Sequence, residues 1–218
     1  MKYIIANWKM NMDLASITSW IAGYKKVDTQ NKVIIAASFL HLPLLSEFAK
    51  SAGIELASQD VSTLDKGAHT GEVGAFQIKQ FCNYSIVGHS ERHEPIDVVL
   101  KKRDMCLANK ITPIICFVSP EDAVKLYTPG VLLAWEDPNN ISVNGQYREK
   151  DPAEIETGIK NISDTLPKDI ALIYGGSVNR NNVENLTKIA QIGGALPGNA
   201  SLDPQHFIDI IDAYAKAE

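Results

Sequence analysis

Eight short apolar runs, each followed by a stretch with helical spacing, constrain this chain more than any other feature. The runs are residues 3–7, 32–37, 54–59, 84–87, 112–117, 131–136, 170–174 and 191–196. They are too short and too uniformly apolar for one-sided strands, and turn residues bound them. That is the pattern of a parallel sheet covered by helices. The intervening helices are expected near 13–26, where Asp13 caps the first turn, and near 43–51, 75–81, 95–109, 119–128, 152–166, 181–187 and 202–215. Eight such units in one domain, residues 1–218, point to an α/β fold of the (β/α)8 barrel type. The alternative is a doubly wound open sheet, which lacks the expected G-x-G-x-x-G after an early strand.

A hydrophobic share of 45% and a charged share of 22% leave room for a sizeable core. The net charge of -5 and the lack of a basic run argue against nucleic acid. An anionic substrate would need a local site that overcomes this field. Cys82, Cys106 and Cys116 form no C-x-x-C and no Cys/His pair at zinc spacing, so free thiols and no metal are expected. The N-terminus runs straight into a strand, and no segment reaches membrane-spanning length. The expectation is a cytoplasmic protein without membrane contact.

In such a barrel, function belongs on the loops after the strands. Asn7, Lys9 and Asn11 stand after the first strand, His89 and Glu91 after the fourth, and Glu136 after the sixth. Gly175-Gly176-Ser177 follows the seventh and Gly198-Asn199 the eighth. Gly-rich turns that open helices offer backbone N–H groups to a phosphate. Ser90 can cap a turn behind His89, whose imidazole then meets the positive end of a helix dipole. That field favours a neutral ring that donates a hydrogen bond. Each residue alone has an ordinary structural explanation. Together they offer a cation, an imidazole, a carboxylate and two phosphate turns on one face.

The segments Asn7-Trp8-Lys9-Met10-Asn11, Gly71-Glu72-Val73, Val87-Gly88-His89-Ser90-Glu91-Arg92, Ala134-Trp135-Glu136 and Tyr174-Gly175-Gly176-Ser177-Val178, with Gly198 and Ala200-Ser201-Leu202, resemble the triosephosphate isomerase family. They span nearly the whole chain in that family's order. The resemblance implies a TIM barrel that interconverts dihydroxyacetone phosphate and glyceraldehyde 3-phosphate in glycolysis and gluconeogenesis, without a cofactor. It implies Glu136 as base, His89 as electrophile, Lys9 as cation, Asn7 as its polar neighbour and Glu91 as the carboxylate partner of that region. Gly176, Ser177, Gly198, Asn199 and a lid N–H at Ser142 would hold the phosphate. It also implies a homodimer in which Thr70 reaches the partner. This family is itself a well-known example of catalytic groups tuned by their surroundings, and these roles come with the resemblance.

The departures lie around the sixth strand. The family follows its base with a Pro-Val-Trp hinge and a short lid. Here Glu136 is followed by Asp137-Pro138-Asn139-Asn140 and a longer segment. Asn144-Gly145 within it carries a strong hairpin signal. The family's Cys-Val-Gly-Glu after the fifth strand reads Cys116-Phe117-Val118-Ser119, and the fifth helix is short. Two functions are therefore expected from the sequence: an isomerase with an altered lid, or an impaired barrel that binds a phosphate ligand or a partner. A weaker third is an isomerase for another phosphorylated sugar.

Overall fold

The computed structural model describes residues 1–141, 146–168, 170 and 172–218. Eight parallel strands close into a barrel in chain order. They are β1 (Tyr3–Asn7), β2 (Lys32–Ala37), β3 (Glu55–Ser58), β4 (Tyr84–Val87), β5 (Thr112–Phe117), β6 (Leu132–Trp135), β7 (Leu172–Tyr174) and β8 (Ile192–Ala195). The helices are α1 (Leu14–Gly23), α2 (Leu42–Ala52), α3 (Ala75–Ile78), α4 (Ile96–Ala108), α5 (Pro120–Leu126), α6 (Pro152–Ser163), α7 (Val183–Thr187) and α8 (Pro204–Ala215). The open-sheet alternative is excluded by the β1–β8 pairing, Tyr3 beside Gly194 and Ile4 beside Ala195. A Cβ at Gly194 would lie 1.9 Å from the Tyr3 carbonyl oxygen, so only glycine lets this seam close.

Strand period builds two cores. Ile5, Ile34, Ala36, Ile86, Ile114, Cys116, Ala134 and Ile173 fill the barrel interior. Their neighbours Ile4, Ile35, Val87, Ile115, Leu133 and Leu172 point outward, against the helices. This explains why the runs read as continuously apolar. Cys116 therefore sits in the inner layer, while Cys82 and Cys106 sit in the outer one. All three are free and buried.

Several elements are shorter than their apolar runs suggest. The strands β3, β6 and β8 each lose end residues, and α3 ends at Ile78 rather than near Phe81. Asp13 caps α1 as expected, accepting from the Ser16 amide at 2.8 Å, but the helix stops at Gly23. The fifth helix has seven residues, capped by Ser119 and started by Pro120. Short 3-10 turns follow β2, β4, β6 and β8. They carry the chain sharply off the strand ends.

Candidate active site

The C-terminal strand ends surround a cavity of about 260 Å³ lined by Asn7, Lys9, His89, Glu136, Ser177 and Gly198, among others. Glu91 and Asn199 line it too. That volume suits a small metabolite rather than a drug-sized ligand, whose sites begin at roughly 300 Å³.

Glu136 extends β6, its amide donating to the Phe117 carbonyl at 2.9 Å. The residue is buried at 1% exposure, with both carboxylate oxygens engaged. His89 Nε2 lies 2.8 Å from Oε1, and the Ser90 amide donates to Oε2 at 2.9 Å. Burial alone would push this carboxyl up. The hydrogen bonds from His89 and Ser90 outweigh it and leave the group below its ordinary value.

The turn after β4 corrects the sequence reading. His89, not Ser90, caps the 3-10 turn Ser90–Arg92, its Nδ1 accepting from the Glu91 amide at 3.3 Å. Ser90 is the first residue inside that turn rather than its cap, and its amide donates to Glu136. An Nδ1 that accepts leaves the proton on Nε2, which points at Glu136. The imidazole thus presents an N–H donor beside the carboxylate.

Lys9 has a φ of 49°, in the left-handed region that costs a non-glycine residue free energy. Neighbouring groups hold it there. Its amide donates to Asn7 Oδ1 at 3.1 Å, and Gln59 Nε2 donates to its carbonyl at 2.8 Å. Its Nζ pairs with Glu91 Oε1 at 2.5 Å. Gln59 was missed from sequence, because a residue that only supports a backbone carries no motif of its own.

Ser177 also has a positive φ, 42°, and its Oγ accepts from the Arg148 amide at 3.0 Å. Gly176 does not line the cavity; it packs over the Tyr174 hydroxyl, which a Cβ there would meet at 2.5 Å. Gly198 lies beside Lys9, and Asn199 Nδ2 donates to the Tyr147 hydroxyl at 3.3 Å. Tyr147 and Arg148 thus lie on the last two strand-end turns. Asp137 accepts from Lys150, and Pro138 begins a 3-10 turn. Ser142, Asn144 and Gly145, the expected lid positions, lie outside the described residues. Thr70 is exposed and does not line this cavity.

Cys116 lines the barrel behind Glu136. Burial, and then the Glu136 charge, push its thiol well above the ordinary range, so it packs rather than attacks. Among the described residues no group of three or more His, Cys, Asp or Glu could hold a metal. No helix among them is long and apolar enough to cross a membrane.

Fold and site together define a class: a (β/α)8 barrel with a carboxylate–imidazole pair and a lysine at its strand ends, next to two glycine-rich turns. Comparison with known proteins narrows it. The family model described as triosephosphate isomerase matches residues 2–214. The triosephosphate isomerase of Wolbachia pipientis wMel is 31% identical, over 98% of this chain and 94% of its own. That of Aquifex aeolicus is 30% identical over 98% and 99%, and that of Mesomycoplasma hyopneumoniae (strain 7448) 31% over 96% and 98%. The chain belongs to the triosephosphate isomerase family.

Proposed function

We propose that this protein interconverts dihydroxyacetone phosphate and D-glyceraldehyde 3-phosphate. The observation that carries the reading is the Glu136–His89 pair: a buried, ionised carboxylate 2.8 Å from an imidazole whose Nε2 carries the proton. Removing a proton next to a carbonyl needs a base and a donor for the developing oxyanion. A substrate entering between the two separates them. Glu136 then takes the proton from one carbon while His89 donates a hydrogen bond to the neighbouring oxygen. The enediolate forms, the hydroxyl proton passes from one oxygen to the other by way of His89 Nε2, and Glu136 returns its proton to the adjacent carbon. No electrons are gained or lost overall. Lys9 balances the negative charge, Asn7 fixes the Lys9 turn, and Glu91 orients the ammonium. The phosphate would lie on the turns at Ser177 and Gly198–Asn199, close to Lys9.

The family's dimeric, cytoplasmic, glycolytic setting accompanies this reading, with Thr70 on the loop that would meet a second copy. A second reading has its own support. The Arg148 amide already uses Ser177 Oγ, and Tyr147 already engages Asn199. An arm lying on the phosphate turns favours a barrel that binds weakly and turns over poorly. A coupled assay with each triose phosphate decides between them. Turnover in both directions supports the isomerase. Binding of 2-phosphoglycolate without turnover supports the impaired barrel, and neither would remove both.

A further inference from the structure

The base is followed at once by a second carboxylate, Asp137, and the structure uses both of its oxygens. Oδ1 accepts from the Asn139 amide at 3.0 Å, and Oδ2 accepts from Lys150 Nζ at 2.5 Å. The ion pair spans thirteen residues and joins the two ends of the segment between β6 and α6. Lys150 and Asp137 are only 17% and 18% exposed, so solvent screens them less than a surface pair.

Lys150 also stands 5.6 Å from the centre of the Trp135 ring. That ring is a fixed platform. Its Nε1 donates to the Val118 carbonyl at 3.2 Å, and Tyr174 packs against it at 5.8 Å. On the α6 side, a Cβ at Gly158 would come within 2.3 Å of the ring, so the indole fills the room that glycine leaves. The backbone is equally anchored, the Trp135 carbonyl accepting from the Gly175 amide at 2.9 Å. Trp135, Glu136 and Asp137 therefore run in sequence from platform to base to ion pair.

The other side of Lys150 is tied as well. Asn179 Nδ2 donates to Glu149 Oε1 at 2.6 Å, and the Arg148 amide donates to Ser177 Oγ. One short stretch, residues 147–150, thus touches both strand-end turns expected to hold phosphate and the residue next to the base. We propose that Asp137 and Lys150 form a clasp on Trp135 that fixes the backbone exit of Glu136, both acting as positioning residues. This deepens the isomerase reading and rests on it for its kinetic effect. A base displaced by a fraction of an ångström from its reacting carbon loses rate without losing phosphate binding.

The test uses Asp137→Asn, which keeps the acceptor for the Asn139 amide but removes the charge, together with Lys150→Met and Lys150→Arg. For Asp137→Asn and Lys150→Met, kcat should fall about tenfold or more while KM moves less than about threefold. Affinity for 2-phosphoglycolate should fall in parallel, and affinity for inorganic phosphate should hold within about twofold, because only the former probe reaches the base. Lys150→Arg should restore most of the rate. The double variant Asp137→Asn/Lys150→Met should be no worse than either single one. In both charge-removing variants the Arg148 amide should also exchange faster with deuterium, by about tenfold. Unchanged kcat and unchanged exchange would overturn the clasp. A wild-type protein without turnover would instead remove the isomerase reading, and the exchange measurement would still decide whether the clasp exists.

Discussion

At 1% exposure, Glu136 stays ionised only because its hydrogen bonds outweigh lost hydration. Glu136→Gln keeps the shape but cannot accept a proton. Turnover of triose phosphate should fall by about two to four orders of magnitude, with inorganic phosphate affinity little changed; steady-state rates and calorimetry check both. The depressed carboxyl also sets a pH dependence. A group held below its unfolded value, about 4.3 for glutamate, stabilises the fold above that value and loses the contribution as pH falls through the folded one. Glu94 and Asp137 are depressed too, each pushed up by burial but pulled down further, Glu94 by Lys102 and Arg92 and Asp137 by Lys150 and the Asn139 amide. Stability against urea should therefore fall steeply below about pH 4, and Glu136→Gln should make that slope shallower. That Lys9, His89 and Glu136 meet in one cavity at the strand ends was legible because topology gathers them. The tautomer of His89 was not, since it depends on the Glu91 amide reaching Nδ1.

The elements around β6 show how a helix can govern a strand end. Gly158 sits on α6 where any side chain would enter the Trp135 ring. Gly158→Ala should therefore cost stability despite a better helix propensity, by about 1–3 kcal/mol of overpacking. Thermal unfolding should shift down by about 2–4 °C for each kcal/mol lost. A gain in melting temperature would mean that the ring moves freely. The identity and order of the elements were readable, because both faces of every strand are buried and the apolar runs stand out. Their ends were not. Val131 continues the apolar run and Glu136 continues the backbone hydrogen bonds, yet both lie outside the regular ladder of β6. Of the 3-10 turns only the one behind His89 was foreseen, because three residues carry no period. Nothing in Tyr147-Arg148-Glu149 marks it from sequence as the stretch that lies on the turns after β7 and β8.

At the scale of the molecule, a parallel ring of eight strands has no edge to protect, so a second copy cannot join by adding a strand. Association has to use loops or helix faces, and Thr70 lies on an exposed loop. Light scattering at micromolar concentration should give twice the chain mass of 23.9 kDa, and Thr70→Arg should lower it towards one. A monomer in the unaltered protein would end that proposal. Closure has another consequence, which concerns time. Cys82 and Cys106 lie between the ring and its helices, whereas Cys116 lies inside the ring. Lifting one helix admits a thiol reagent to the outer pair. Reaching Cys116 requires the ring itself to part, and with no free edge it cannot fray strand by strand. Under native conditions the three thiols should therefore label in two phases, the outer pair first and Cys116 last. The slow phase would measure how long the barrel stays shut.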